Sequence, residues 1–419
     1  MIGYVISDLH IGGGDADKAL EDFFQDEQLV QFVDSVRGPD ATMFINGDFI
    51  DFAQIPPYDV PAPCHLLWPE SVSLQKLERA YQAHRPCFEA LQRFAASSEL
   101  VILIGNHDLD LGWPGVQQRM ATLLGNGRVR FELRSAVYHG VHIEHGHEFT
   151  PENGLEHPEV WKHTWAEPGK PAVEYLERVW GTDFMLHFYN DLERRYPFAD
   201  NAKPMVTVAF HGLRQRWIGG REIVRLVLFL KRRGIPWSGL SSALLSDDEK
   251  VNSVIDGIDD RDWQTMLEER RRSDSAFASE IQAAVNELSP DEQAILAGKS
   301  APLGAAGELP GEPGATLGLF RDGREHRAAR ERLAQPGITH VVFGHTHEVV
   351  DGDLDGALFN PGSWIPAIDL SSETVKAKRA KDGLTLDLLN DQTCWVTDRR
   401  AVEIRPDLPH RARVQLLNI

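Results

Sequence analysis

Short apolar runs alternate with segments of helical spacing in the first third of the chain. An apolar run of about five residues between polar or turn residues predicts a buried strand, whereas apolar residues three and four positions apart predict a helix that covers a sheet. The predicted strands lie at residues 2–7, 41–46, 100–105, 137–144 and, much later, 338–343. The predicted helices between the early strands lie at residues 17–36 and 73–96. This alternation predicts an α/β protein with helices packed on sheets.

Helical spacing dominates between residues 149 and 336. The predicted helices lie at residues 172–195, 220–233, 247–255, 259–272 and 275–288. Two capping boxes, Ser246-Asp-Asp-Glu249 and Ser289-Pro-Asp-Glu292, predict helix starts. Residues 299–318, with five Gly and three Pro, predict a loop.

The same patterns predict the structure of the residues after 354 and the division of the chain into two parts. Beyond residue 354, β-hairpins are predicted at residues 356–360, 383–388, 394–397 and 400–404. We therefore expect a core formed by residues 1–149 and 336–419, and a mainly helical insertion, the cap, at residues 150–335.

Five polar motifs directly follow predicted strands. They are Asp8-Leu-His10, Gly47-Asp48-Phe-Ile-Asp51, Gly105-Asn106-His107-Asp108, His145-Gly-His147 and Gly344-His345-Thr-His347. Ligands of open α/β sheets bind at the carboxyl ends of the strands, so these motifs can converge on one site. Carboxylate, imidazole and amide ligands without thiolate suit manganese, iron or zinc. Two metals in phosphoryl chemistry need a bridging carboxylate, for which Asp48 is the natural candidate.

In this order, the five motifs resemble the calcineurin-like metallophosphoesterase family over about residues 1–149 and 336–365. The resemblance implies a two-sheet αββα sandwich that holds two divalent ions, with Mn²⁺ preferred and iron or zinc as alternatives. The implied ligands are Asp8, His10, Asp48 and His347 for the first ion, and Asp48, Asn106, His145 and His345 for the second. It also implies that His107 lies beside the scissile phosphate without binding metal, and that Asp51 orients His107.

The predicted cap adds candidate substrate contacts. UDP-diacylglucosamine pyrophosphatases resemble the chain in these motifs and carry a helical cap in the same place, but here 200 residues separate residue 145 from residue 345. Residues 211–234 are basic and amphipathic, and Arg214, Arg216, Arg221 and Arg225 are candidate phosphate contacts. The alternatives are an ordinary helix with a solvated basic face and a helix on a membrane surface. His147 stands where many relatives have Asp, so either a substrate contact or a supporting role is open.

Charge and cysteine content narrow the classes of function. The net charge of −20 disfavours long nucleic acids as partners. Three separated cysteines without a CxxC motif predict reduced thiols in a cytoplasmic protein, and no apolar run reaches membrane-spanning length. The sequence does not predict an oligomeric state.

We therefore expect a metal-dependent phosphoesterase that hydrolyses a small phosphodiester or pyrophosphate, nucleotide-linked or lipid-linked. The hypothesis for its mechanism is in-line attack by a metal-bridging hydroxide. The alternatives are a nuclease, a phosphomonoesterase or protein phosphatase, and a non-catalytic interaction protein on the same scaffold. Peripheral contact with a lipid surface stays open.

Overall fold

The computed structural model describes residues 1–61, 66–150, 153–155, 161–167, 169–197, 201–203, 212, 215–232, 260–296, 324–370, 372–410 and 413–419. The strands in chain order are β1 (Ile2–Ile6), β2 (Ala41–Asn46), β3 (Glu99–Leu103), β4 (Val129–Glu132), β5 (Ser135–Tyr138), β6 (Val141–Glu144), β7 (Lys162–Trp165), β8 (Val173–Leu176), β9 (Ala202–Lys203), β10 (His340–Val342), β11 (Val349–Gly352), β12 (Leu358–Pro361), β13 (Ala367–Asp369), β14 (Trp395–Val396), β15 (Arg400–Ile404) and β16 (Val414–Asn418). The helices in chain order are α1 (Asp26–Val36), α2 (Glu70–Ala83), α3 (Arg85–Ala95), α4 (Pro114–Leu123), α5 (Trp180–Phe184), α6 (Asn190–Glu193), α7 (Gly220–Arg232), α8 (Asp260–Ser273), α9 (Ser275–Glu287), α10 (Pro290–Leu296), α11 (Arg324–Leu333), α12 (Glu373–Asp382) and α13 (Leu386–Leu389).

Two larger sheets form the centre of the molecule. The first has the strand order β16-β15-β1-β2-β3-β4, in which β1 to β4 are parallel and β15 and β16 run antiparallel to their neighbours. The second has the order β11-β12-β10-β6-β5, in which β10 is parallel to both β6 and β12. Strands β7 and β8 form a hairpin, and β9, β13 and β14 form a third small sheet.

Alternation of side chains along the strands builds a layered core. In β1, Tyr4 and Ile6 pack with residues of α1 to α4 in one apolar cluster. Val5, which points the other way, packs between the two sheets with Ile143 and Val342. On the far side of the second sheet, Val341 packs with Ala328 and Ala329 of α11. The layers are therefore helix, sheet, sheet and helix, which confirms the expected αββα sandwich.

Several local predictions are confirmed in the described residues. The early strands β1, β2 and β3 and the late strand β10 lie where the apolar runs predict them. The capping box at the start of α10 is also formed, since the Ser289 N–H donates to Glu292 Oε2 at 2.7 Å and the Glu292 N–H donates to Ser289 Oγ at 3.3 Å. The predicted capping box at 246–249, the predicted helix at 247–255 and the predicted loop at 299–318 lie outside the described residues.

Other local predictions are wrong. The helix expected at 17–36 begins only at Asp26, and the helix expected at 73–96 is divided at His84, because Pro86 starts a new helix there. The single strand expected at 137–144 is the hairpin of β5 and β6, whose turn residues His139 and Gly140 both have positive φ.

Two further errors concern helix and strand assignments. The helix expected at 172–195 is strand β8, then α5, a π-helical turn at Met185–Tyr189 and α6. Residues 383–388, expected to form a hairpin, are instead the link between α12 and α13 and the first residues of α13. Strand β9 pairs with β13, and residues 202 and 217 pack with residues of the tail between 368 and 394. Part of the tail thus packs with segments of the predicted cap, and the exact bounds of the cap stay a prediction.

Candidate metal centre

The five polar motifs follow the strands β1, β2, β3, β6 and β10. The first three of these strands are parallel neighbours in one sheet, and the last two are parallel neighbours in the other. The carboxyl ends of parallel strands lie at the same edge of a sheet, so the chain delivers the motifs to one end of the sandwich. The convergence expected from the sequence is present in the structure.

A first group of four side chains meets at this edge. Ligand atoms of Asp8, His10, Asp48 and His347 all lie within 4.8 Å of one another. His347 Nε2 is 3.3 Å from Asp8 Oδ1 and 3.0 Å from His10 Nε2. These are the four side chains that the family resemblance assigns to the first ion.

A second group shares Asp48 with the first. Ligand atoms of Asp48, His145 and His345 lie within 4.8 Å of one another, and His145 Nε2 is 3.0 Å from Asp48 Oδ2. Asn106 directly precedes His107, whose N–H donates to Asp48 Oδ1 at 2.9 Å. One carboxylate thus belongs to both groups, as a bridging ligand must.

The backbone is unusual at five of the candidate ligands, which lie in three of the motif loops. Asp8, His10, Asp48, His345 and His347 all have positive φ, at 53°, 47°, 49°, 66° and 55° respectively. A non-glycine residue in this region costs on the order of 1–3 kcal/mol, and such residues concentrate at functional sites. The rest of the fold therefore holds these residues in a backbone conformation that non-glycine residues rarely adopt.

Two motif glycines are required by close packing against ligands. A Cβ atom on Gly105 would overlap Asp48 Oδ1 and the Asp48 backbone nitrogen, and a Cβ atom on Gly47, at φ 80°, would overlap the ring of His145. The glycine in each motif therefore makes room for a side chain delivered by another motif.

Polar contacts occupy one ring nitrogen in three of the candidate histidine ligands. Nδ1 of His10 donates to Asp51 Oδ2 at 3.1 Å, and Nδ1 of His145 donates to the Asn46 carbonyl at 2.7 Å. Nε2 of His345 lies 3.3 Å from Thr150 Oγ1. The opposite nitrogen of each ring is then available to a cation, which is the usual arrangement around ligating histidines.

Charge also suits a cation. Burial raises the pKa of Asp8, but the charges of His145 and His347 outweigh it and hold the pKa at about 2. Burial likewise opposes the ionised form of Asp48, yet His145 and His107 hold its pKa well below the ordinary value. Burial and the charge of His145 lower the pKa of His345 to about 3. The carboxylates are ionised and His345 is neutral, which are the forms that bind metal. Burial lowers the pKa of His145, but Asp48 and Asp8 outweigh it and raise the pKa to about 9, so His145 would release its proton on binding an ion.

Two buried polar atoms support the fit to divalent ions. Among the described residues, Asn106 Oδ1 is buried and has no hydrogen-bond partner, and His145 Nε2 is buried beside Asp48 Oδ2 at 3.0 Å. A buried polar atom without a partner costs free energy unless an ion or water satisfies it. Both atoms belong to the predicted ligand set of the second ion, so the residues present fit the group.

His107 is held beside these groups by Asp51. Its Nδ1 donates to Asp51 Oδ2 at 2.7 Å, and its side chain keeps 20 % exposure, so the ring can reach a substrate. Burial lowers the pKa of His107, but Asp51 and Asp48 outweigh it and raise the pKa to about 10. The pairing expected from the sequence is present, and it keeps a proton on the ring.

The sequence reasoning did not single out three residues that support the site. Asp108 accepts the Gly105 N–H at 2.6 Å and the Phe49 N–H at 2.8 Å, which joins the second and third motif loops. Thr150 and Asn153 lie at the edge of the second group, where Asn153 Nδ2 is 3.5 Å from His345 Nε2. Asp108 stands within a motif, whereas Thr150 and Asn153 carry no sequence signal beyond following His145-Gly-His147.

His147 lies next to the second group but outside it. Its ring centroid is 5.4 Å from that of His145 and 6.4 Å from that of His345. Within the described residues, both of its ring nitrogens are buried without a hydrogen-bond partner. Burial lowers the pKa of His147 well below the ordinary value, so the ring is neutral. The choice between a substrate contact and a supporting role stays a prediction.

The predicted arginine contacts face acids of the same region. Arg216 Nε is 3.5 Å from Asp274 Oδ2, Arg221 donates to Glu287 Oε1 at 2.6 Å, and Arg225 donates to Asp191. Arg214 lies outside the described residues. Glu287 and Asp191 are exposed, and exposed ion pairs are weak, so a substrate phosphate could compete for Arg221 and Arg225. The role of the arginines stays a prediction.

The family model described as calcineurin-like phosphoesterase matches residues 4–212, which include the motifs from Asp8 to His147. The last motif, with His345 and His347, lies outside the match, and the structure brings it to the same site. No curated protein and no solved structure gives a significant match. No helix of the described residues is long and apolar enough to cross a membrane. The sandwich, the two ligand groups and the family match together identify the chain as a member of the calcineurin-like phosphoesterase family, which supports metal-dependent hydrolysis of a phosphoester.

Proposed function

We propose that this protein is a dinuclear metallohydrolase that cleaves a small phosphodiester or pyrophosphate. The observation that carries the proposal is the pair of ligand groups that share Asp48, with His107 held by Asp51 at their side. A single ion would need only one of these groups.

Distances between ligand atoms support a division of these residues between two ions, to which the family resemblance and a buried, unpartnered Oδ1 add Asn106. Asp8, His10, Asp48 and His347 would hold one ion, and Asp48, Asn106, His145 and His345 would hold the other. Imidazole, carboxylate and amide ligands without thiolate favour Mn²⁺, with iron or zinc as alternatives. When bound, such ions stabilise charge on the phosphoryl oxygens and lower the pKa of coordinated water.

The protein's own residues act on the leaving group. His107 carries a proton because Asp51 and Asp48 stabilise its charged form, and Asp51 occupies Nδ1. Nε2 is therefore the atom that faces a substrate and can donate a proton to the departing oxygen. The bond from the His107 N–H to Asp48 Oδ1 ties the position of this donor to the shared carboxylate.

A small substrate fits the charge of the chain. The net charge of −20 repels long polyanions, and Arg216, Arg221 and Arg225 of the predicted cap are paired with acids. Both a nucleotide-linked and a lipid-linked ester satisfy these constraints.

The test is metal analysis combined with a substrate screen. Purified protein is treated with a mild chelator, reloaded with Mn²⁺ and assayed on monoesters, diesters and pyrophosphates. We expect close to two ions per chain, and turnover of diesters or pyrophosphates above that of monoesters. Asp34→Asn, on the exposed side of α1, is the matched control for Asp48→Asn. Full activity with one ion or none, or a clear preference for monoesters, would contradict the proposal.

A further inference from the structure

A short turn after Asp51 is held by side chains from two separate parts of the chain. We call residues 51–56 the Asp51 turn. Lys76 Nζ donates to the Phe52 carbonyl at 2.8 Å and to the Ile55 carbonyl at 2.7 Å. The Ala53 carbonyl accepts from Asn190 Nδ2 at 2.9 Å, and the Pro56 carbonyl accepts from Arg79. Four of the five carbonyls after Asp51 therefore accept a hydrogen bond from a side chain distant in sequence.

The Asp51 turn sets the position of the Asp51 carboxylate. Asp51 Oδ1 accepts the Gln54 N–H at 3.2 Å, and the Phe52 N–H donates to the His107 carbonyl at 3.1 Å. Asp51 Oδ2 accepts from both His107 and His10. A shift of the turn would therefore move the one group that orients the proposed leaving-group donor.

Two of the side chains that hold the turn come from the region of the predicted cap. Asn190 and Glu193 lie three residues apart on α6, so they project from the same face of that helix. Their exposures are 2 % and 0 %, and Glu193 Oε2 accepts from Gln54 Nε2 at 2.7 Å. A carboxylate is rarely buried this completely, because removing its charge from water is costly. α6 directly follows the π-helical turn Met185–Tyr189, a rare element found mostly at functional sites.

We propose that Asn190 and Glu193 are positioning residues for leaving-group protonation. They hold the Asp51 turn, the turn holds the Asp51 carboxylate, and the carboxylate holds His107 in the place from which it donates its proton. This inference rests on the proposed function, in which His107 is the donor. The segment around α6 then completes the catalytic geometry, in addition to any part it has in selecting substrates.

The expected defect is in alignment, not in folding. Lys76 and Arg79 hold the neighbouring carbonyls from the core side, so loss of one bond from α6 leaves the turn in place but loosens it. A small misplacement of a catalytic group can cost on the order of 100-fold in rate. The ligand groups do not include Asn190 or Glu193, but Asp51 also accepts from His10, so the variants are compared at saturating Mn²⁺, where bound metal should be unaffected.

The test compares variants on two diesters that differ only in the departing phenol. Methyl p-nitrophenyl phosphate has a good leaving group, and methyl phenyl phosphate has a poor one. Asn190→Ala and Glu193→Ala should lower kcat for the phenyl ester by about 10- to 100-fold, with kcat for the p-nitrophenyl ester, KM and bound Mn²⁺ nearly unchanged. Glu193→Gln keeps a carbonyl oxygen that can accept from Gln54, so it should retain most of the activity. Phe277→Leu is the control for general loosening of the region, because Phe277 packs with Ile218 and Ile223 away from the turn.

A second set of variants, made in the His107→Ala protein, keeps the test informative if a single variant folds poorly. It also separates the two hypotheses. In His107→Ala protein at saturating Mn²⁺, adding Asn190→Ala should cause no further loss on the phenyl ester, because under this condition the positioning residue acts through His107 alone. If His107→Ala alone shows no dependence on the leaving group, the proposed role of His107 fails. If His107→Ala shows that dependence but the α6 variants slow both esters equally, or add their full effect in the double variant, the inference about α6 is wrong while the proposed function stands.

Discussion

Asp51 serves two histidines with one oxygen, so its replacement should produce two separable defects. Asp51 Oδ2 accepts from His10 Nδ1 at 3.1 Å and from His107 Nδ1 at 2.7 Å. In Asp51→Asn, the side chain keeps its shape but loses its charge, and one of its two terminal atoms becomes an amide donor. We expect weaker metal binding through His10 and slower leaving-group departure through His107.

The size of each defect follows from the bond that is lost. A hydrogen bond to a charged group contributes about 1.5–3 kcal/mol, which corresponds to roughly 10- to 150-fold in an equilibrium or a rate. Loss of an outer hydrogen-bond partner of a metal ligand commonly lowers metal affinity by about 10- to 100-fold. The amide can still accept the Gln54 N–H at Oδ1, so the local turn should persist and the protein should remain folded.

The assay measures the two defects independently. Mn²⁺ affinity is obtained by titration of the chelated protein, and kcat is measured at saturating Mn²⁺ on esters with good and poor leaving groups. Asp51→Asn should be impaired in both measurements, whereas His107→Ala should be impaired only in kcat for the poor leaving group. Asp34→Asn, an exposed change of the same chemical kind, should be impaired in neither.

A different combination of defects in metal affinity and in kcat would refute this reasoning. If Asp51→Asn binds Mn²⁺ normally and slows good and poor leaving groups by the same factor, Asp51 acts on neither histidine in the proposed way. Loss of metal affinity in His107→Ala would instead make His107 a ligand.

Three further predictions follow. Asp48→Asn should lower bound Mn²⁺ below about two ions per chain, and unchanged metal content would rule out a bridging carboxylate. His107→Ala should slow hydrolysis of poor leaving groups by about 10²- to 10⁴-fold with metal content intact, measured as kcat beside metal analysis. His84 is buried, which lowers its pKa, but hydrogen bonds with Asp26 and Glu21 outweigh burial and raise the pKa to about 9 from the ordinary 6.5. Its contribution to the free energy of unfolding is therefore complete below pH 6.5 and is lost as the pH rises through about 9, so the Tm of the wild type should fall across this interval and that of His84→Gln should fall less.

Local patterns were sufficient for the strands β1, β2 and β3 and for the motif residues. The buried strands β1, β2 and β3 are short apolar runs, and a polar motif follows each of them directly. Because the chain must leave a parallel strand at its carboxyl end, the position of each motif relative to its strand already places the candidate ligands at one edge. The two groups around Asp48 are the result.

Predictions from local patterns failed in short segments, where the spacing of apolar residues does not distinguish a helix from a strand. Residues 172–195 read as one helix, yet Val173–Leu176 is a strand because it pairs with Lys162–Trp165. Residues 383–388 read as a hairpin, yet Leu386–Leu389 is helical, begins at a Thr385 cap and packs on the third sheet. In both segments the neighbour across space decided the outcome.

The sequence by itself determined the strands β1, β2 and β3, the order of the motifs and the chemical class of the candidate ligands, because each depends on residues adjacent in the chain. Only the tertiary structure decided three other features. These are the positive φ of Asp8 and His347, the contact of Thr150 with His345, and the hydrogen bonds that link Asn190 and Glu193 to the Asp51 turn. These features join segments that lie far apart in the chain, and a hydrogen bond between distant residues leaves no periodic signal in either of them. The candidate metal ligands and the pairing of His107 with Asp51 could therefore be predicted from the sequence, while the support of the Asp51 turn by α6 is a property of the folded chain.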